Sequence, residues 1–230
     1  MKYRYAFFSF LLLLFATTNA VSQQKNSFFS VGSGVSIPVG TYSGTDYEKS
    51  CFTTTGINLN LEGAWYFLPY LGIGAQVGYN LHPVDARALG YARVQNDPFL
   101  IDVFTRSEPY QMITAGIGPY ASWNIWKDLS FHGKVLAGMI FGKTPYQVFE
   151  PEYFLEGPRY EVKTSAKDYG FIVIPGIGLQ YNVSPCIGVK IDSEFYYREM
   201  IYGFNTGSGV RNDYRTTSFI NVTLGLVVIL

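Results

Sequence analysis

The side chains best suited to chemistry in this chain are six charges set into otherwise apolar segments: Glu62, Lys134, Lys190, Asp192, Glu194 and Arg198. The stretch KIDSEFYYR, residues 190–198, shows the pattern, with charges at four of the five alternate positions, Tyr196 at the fifth, and apolar residues at most positions between. A period of two puts the charges on one face of an extended chain. Carboxylates and ammonium groups gathered on one enclosed face must pair or stay hydrated, because a lone charge taken out of water is strongly unfavourable. Two readings follow: a salt-bridged plug, or the lining of a small or gated polar pore.

Catalytic alternatives are thin. His82 lies in the stretch HPVD with Asp85 nearby, and His132 alternates with apolar neighbours. Acid–base or nucleophilic work needs a partner within hydrogen-bond reach, and no Ser-centred motif surrounds either histidine. The two also lack metal-ligand spacing. The sequence therefore predicts no enzyme, no metal and no cofactor; a lipid-modifying activity is the least favoured of the alternatives.

The elements that must hold the charges are strands. Two-residue alternation between Gly and Pro breaks predicts eight of them, near 27–37, 56–68, 70–81, 110–124, 129–141, 170–183, 186–198 and 217–229. Tight turns are predicted at Leu68-Pro69, Lys127-Asp128 and Ser184-Pro185. The connections at 38–55, 82–109, 142–169 and 199–216 are long and polar. Short and long connections alternate strictly, so an up-and-down barrel would carry all short turns at one rim and all long loops at the other, the pattern of periplasmic turns and extracellular loops.

Composition agrees with strands and turns. Of 230 residues, 17% are aromatic, 15% are charged and 24 are glycine, and the formal net charge of +0 gives no reason to expect nucleic acid as a partner. The opening MKYRYAFFSFLLLLFATTNA has two basic residues, an apolar run and small residues at Thr18 and Ala20, which predicts a secretory signal peptide over 1–20, cleaved to leave 21–230. Its apolar run is shorter than the roughly 20 residues of a spanning helix. A membrane location for 21–230 would thus have to be reached with strands.

The face opposite the charges decides which side is wet. It includes Val31, Ile57, Leu59, Leu61, Ile73, Val77, Ile113, Val135, Val173, Ile191 and Leu224, with no charge among its members. A soluble barrel would turn its charges outward. An apolar outer face with charges enclosed is the membrane arrangement. Trp65, Trp123 and Trp126, with Tyr70, all fall beside short turns and form a girdle where rings meet lipid headgroups. Cys51 and Cys186 would then lie at opposite rims, too far apart for a disulfide. Pro119 and Pro175 interrupt strands and predict bulged or weakened pairing, and a lateral exit for an apolar ligand there is an alternative function. Loop 144–162, TPYQVFEPEYFLEGPRYEV, is aromatic and acidic enough to suit either an ordered cap or contact with an extracellular ligand.

Together these features resemble the eight-stranded outer-membrane β-barrels, the OmpX-like barrels and the transmembrane half of OmpA. The stretches GVSIPVGTY, GINLNLEGAWYFLPYLGIGAQVGYNL and AGIGPYASWNIW are similar to the strand patterns of porin-like members. The resemblance implies a monomer in the outer membrane of a Gram-negative bacterium, in contact with lipid and lipopolysaccharide. It also implies insertion by the barrel-assembly machinery through a C-terminal signal, whose frame falls on Thr223, Gly225, Val228 and Leu230; Leu230 stands where the family has an aromatic. The implied work is structural, adhesive or porin-like. A secreted soluble lipocalin-like barrel is the contrasting alternative, and it would need the apolar face turned inward.

Overall fold

The computed structural model describes residues 27–154, 160–206 and 209–230; the leader read over 1–20 lies outside them. Eight long strands are ordered by their alternation: β1 (Phe28–Pro38), β2 (Gly56–Tyr66), β3 (Leu71–His82), β5 (Tyr110–Asn124), β6 (Leu129–Lys143), β9 (Lys167–Asn182), β10 (Ile187–Thr206) and β11 (Gly209–Ile229). Each pairs antiparallel with its neighbour, and β1 pairs with β2 on one side and β11 on the other, closing an up-and-down ring. Closure removes the edge, so every strand has ladder partners on both sides, the condition for strands in hydrocarbon. The eight-stranded antiparallel transmembrane barrel read from the pattern is the observed fold.

The outside is apolar. Ile57 is 57% exposed, Ile117 59% and Leu226 67%, while the alternate residues Asn58, Glu62, Lys134 and Asp192 are buried within the ring. The soluble lipocalin-like alternative fails on this point, because its apolar residues would have to line the cavity. Trp65, Trp123 and Trp126 are exposed beside the short turns.

Several features depart from the strand reading. The connection expected at 199–216 consists largely of continuing strand: β10 and β11 stay paired from Ile187↔Val228 to Thr206↔Gly209 and project as a hairpin beyond the ring. Beyond the membrane there is no lipid face to enforce alternation, and Arg211, Asn212 and Asp213 read as loop. The long connections after β3 and β6 also carry structure. They form a three-stranded sheet of β4 (Leu100–Ser107), β7 (Gln147–Tyr153) and β8 (Glu161–Lys163), with helix α1 (Ala86–Asn96) packed through Leu89 and Ala92 onto Leu100, Val103 and Phe149. Asp85 caps the helix, accepting from the backbone N–H groups of Arg87 and Ala88.

The prolines act unequally. At Pro119 the ladder with β6 lapses for two positions, Gly118 and Pro119, and resumes in the same register, with no bulge. At Pro175 the β9–β10 ladder, which runs from Asn182↔Gly188 to Gly176↔Glu194, ends, although both strands continue outward. Pro175 has no N–H to donate. Above it, side chains span the seam: Asp168 accepts from the Ile201 N–H at 2.8 Å, and Arg198 donates to the Phe171 carbonyl at 2.9 Å.

Candidate functional site

The lumen contains an ionic cluster on the inner side of β2, β6 and β10. Glu62 Oε2 accepts Lys134 Nζ at 2.9 Å and Lys190 Nζ at 2.6 Å. Lys134 also reaches Glu194 Oε1 at 2.6 Å, and Lys190 reaches Asp192 Oδ2 at 2.9 Å. Neutral partners complete the network. Gln76 accepts from Lys134 at 2.9 Å and donates to Glu194 at 2.8 Å, and the Tyr196 hydroxyl donates to Glu194 at 2.5 Å. Phe28 lies beneath Lys190, 4.6 Å from Nζ to ring centroid.

Glycines on β9 make room for the cluster. A Cβ at Gly176 would come within 2.8 Å of Lys134 Cε, and one at Gly178 would collide with the Asp192 carboxylate. The carboxylate oxygens of Glu62, Asp192 and Glu194 lie within 4.8 Å of one another, a spacing a cation could use. Both lysine ammonium groups already occupy those oxygens.

Five of the six charges read from the sequence meet here: Glu62, Lys134, Lys190, Asp192 and Glu194. Arg198 does not. It is half-buried above the cluster, packed over Gly170 and turned to the Phe171 carbonyl. Its position on the charged face was legible, and so was weakened pairing at Pro175; that the ladder ends there and leaves the Phe171 carbonyl to a side chain was not.

Outward of the cluster the lumen is divided between two walls. On β2, β3 and β11 it is polar: Asn58 donates to Thr223 at 3.0 Å and Asn221 to Asn80 at 2.8 Å. On β5, β6, β9 and β10 it is apolar, with Met112, Leu136, Ile140, Ile172, Ile174 and Met200 buried. The sequence reading of a polar interior missed this second wall, although Leu136 and Ile140 share the inward face of Lys134. Tyr196 stacks on Phe219, with centroids 4.6 Å apart, and Tyr42 packs edge-on against His82.

Each histidine sits in a Ser–His–Tyr set. Ser36 Oγ lies 2.7 Å from His82 Nε2, and the Tyr42 hydroxyl 3.2 Å from Nδ1. Ser130 Oγ lies 2.9 Å from His132 Nε2, and the Tyr66 hydroxyl 3.2 Å from Nδ1. Asp85, the partner suggested by HPVD, caps α1 instead. Ser36, Tyr42 and His82 are fully buried and Ser130 and His132 nearly so, which suits pins that lock aromatic rings at the two ends of the lumen.

The remaining sequence-read residues lie at the short-turn rim or the barrel seam. Trp65, Trp123, Trp126 and Tyr70 are exposed there. Thr223 is buried in the lumen, Gly225 pairs with Gly32, Val228 faces outward and the Leu230 N–H donates to the Ser27 carbonyl at 2.8 Å. Cys186 is exposed at this rim, while Cys51 is buried at the other, and both are free thiols.

A second site, which the strand reading did not foresee, lies above the outer mouth. A cavity of about 590 Å³ opens between the cap sheet, the 38–55 connection and the projecting hairpin. Arg93 on α1 is ion-paired with Glu161 and lies 4.6 Å over the Phe149 ring. Across the cavity Asp213 holds both Lys163, at 3.3 Å, and Arg215, at 3.1 Å.

No protein-family model and no curated protein sequence matches the chain. Solved structures similar to it include outer-membrane β-barrel proteins at low identity. Neisserial surface protein A is 7% identical with a TM-score of 0.48, over 89% of this chain and 97% of that one. Ail of Yersinia pestis is 16% identical with a TM-score of 0.44, over 88% and 98%. The outer-membrane protein AlkL is 9% identical with a TM-score of 0.47, over 93% and 94%.

Proposed function

We propose that the protein is a monomeric, non-conducting outer-membrane barrel of a Gram-negative cell, with its short turns in the periplasm and its cap outside. The lumen is a fixed plug, and the work is done by the cap as an adhesive or ligand-holding surface. The observation that carries this reading is Lys134, which joins Glu62 to Glu194 from within the lumen, with all three side chains buried. An eight-stranded barrel is narrow enough for side chains to fill it. The aromatic pins and the apolar wall above the cluster add to the seal. Outer-membrane lipid and lipopolysaccharide would contact the apolar band, and the assembly machinery would read the C-terminal frame at Thr223, Gly225, Val228 and Leu230.

Planar-bilayer recording on refolded protein, with folding verified by heat-dependent migration on SDS gels, tests the plug. Silence is expected. Discrete steps that change with Glu62→Gln would show a conducting lumen and overturn it.

A second reading is favoured by the end of the ladder at Pro175. There a cavity of about 310 Å³ opens on the lipid side among Pro175, Ile177, Phe195 and Ile220, with Glu194 behind it. Such a seam suits lateral exit of an apolar ligand. A cross-link between Val173→Cys and Tyr197→Cys would stop release of an apolar fluorescent probe from proteoliposomes if the seam is a route. Unchanged release would remove this reading.

A further inference from the structure

We infer that the cap cavity is a binding site for a small organic anion, a carboxylate or phosphate on a ring-sized apolar body. Among the described residues that line the cavity, Lys163 and Arg215 share one carboxylate, Asp213, and Arg211 and Glu48 line it as well. Arg215 holds that carboxylate with both Nε, at 3.1 Å, and Nη2, at 3.2 Å, and its Nη1 donates to the Ser50 carbonyl at 2.9 Å. Lys163 shares the same carboxylate at 3.3 Å and lies 4.9 Å over the Phe204 ring. Arg211 lines the same wall and is exposed.

Around the whole cavity four cations, Arg93, Lys163, Arg211 and Arg215, meet three acids, Glu48, Glu161 and Asp213, which leaves one positive charge uncompensated. Burial, together with repulsion from Arg215 and Arg211, holds the Lys163 ammonium below its ordinary range despite Asp213. A bound anion would relieve that repulsion, and charge-assisted hydrogen bonds in a walled site are stronger than those in open water.

The opposite wall supplies the apolar half. Phe52, Leu89 and Phe149 face the cavity, and Arg93 is already neutralised there by Glu161. Phe52 adopts a φ of 55°, which non-glycine residues seldom take, with its N–H bonded to the Gly44 carbonyl and its carbonyl to the Asp85 N–H. Backbone held in that region by its surroundings clusters at ligand sites. A volume of about 590 Å³ is within the usual range for small-molecule pockets.

The ligand class rests on the role assigned to the cap above and stands apart from the plug: conductance tests the lumen, binding tests the cap. The experiment is isothermal titration of the full chain in phosphatidylcholine nanodiscs with benzoate, phenyl phosphate and, as the neutral control, phenol. Benzoate or phenyl phosphate should bind and phenol should bind at least tenfold more weakly. Lys163→Met and Arg215→Met should each weaken the anion by about tenfold, the loss of one charged hydrogen bond. Lys163→Arg should retain binding and Lys127→Met, at the short-turn rim, should leave it unchanged. Affinity should fall as the pH rises from about 7 towards 10, because Lys163 loses its proton below the ordinary 10.5.

Equal binding of phenol, or no binding by protein that passes the gel-migration test, would overturn the site. So would an unchanged affinity in Lys163→Met. Repeating the titration in nanodiscs doped with phosphatidylglycerol distinguishes the source of the anion. An unchanged affinity supports a soluble ligand, and abolished binding would reassign the cavity to a lipid headgroup and overturn the inference.

Discussion

Lys134 Nζ lies 2.6 Å from Glu194 Oε1 across the interior of the barrel, with both side chains buried. Their strands, β6 and β10, are not ladder neighbours; β9 stands between them. The pair therefore ties together regions of the ring that backbone hydrogen bonding leaves separate.

Removing one partner should cost more than removing the pair. Lys134→Met leaves Glu194 uncompensated and Glu62 with one cation fewer, and a loss of about 3–5 kcal/mol is expected. Lys134→Met combined with Glu194→Gln should recover some of that loss. Urea unfolding in lipid vesicles, followed by circular dichroism, measures both, and a double variant less stable than the single one would contradict the pairing.

The glycines of β9 should be sensitive by position. Gly178→Ala forces the new Cβ onto the Asp192 carboxylate and within 2.9 Å of the Ile191 carbonyl. A loss of about 1–3 kcal/mol is expected for such overpacking. On β6, Gly133→Ala meets nothing nearer than Trp123, at 3.8 Å, and should be close to neutral. The temperature at which each variant changes gel mobility would show the contrast.

The seam above Pro175 should exchange early. Amides of β10 from 188 to 194 lie in the β9 ladder and those beyond do not, although β11 protects the other edge throughout. Deuterium uptake should therefore rise in peptides covering 195–201 relative to 188–194. Equal protection would indicate that side-chain bonds such as Asp168 to Ile201 hold the seam as tightly as a ladder.

The thiols should differ in reactivity. Burial pushes the Cys51 thiol above its ordinary 9.0, so little thiolate is available, whereas Cys186 is exposed. Maleimide at pH 8 should modify Cys186 in folded protein and Cys51 only after denaturation. A raised value in the folded state also means that the Cys51 contribution to stability is complete below about pH 9.0 and is lost as the pH climbs through the folded value. Cys51→Ala should flatten the alkaline limb of the stability curve, and a limb identical to wild type would argue against this.

Within the ring, much was legible because lipid and lumen impose opposite demands on successive residues. Ile57, Leu59 and Leu61 alternate with Asn58, Asn60 and Glu62 for that reason. The cap lacked such a rule. Helix α1 has small and polar residues around most of its surface, so its period is faint, though the Asp85 cap was present in the sequence. Arg198 was placed on the correct face but not with the correct partner, since the partner is a backbone carbonyl released by Pro175. Ser36, the closest contact of His82, lies 46 residues away in the chain and becomes adjacent only through the β1–β2–β3 register.

All three tryptophans, Trp65, Trp123 and Trp126, lie at the short-turn rim. Tryptophan emission therefore samples a single leaflet. Quenchers placed at that depth would dim the tryptophans almost completely, while events in the cap would pass unseen by them. The same asymmetry makes the unlabelled molecule an orientation reporter: an aqueous quencher added to one side of a sealed vesicle would reveal which way each inserted copy faces.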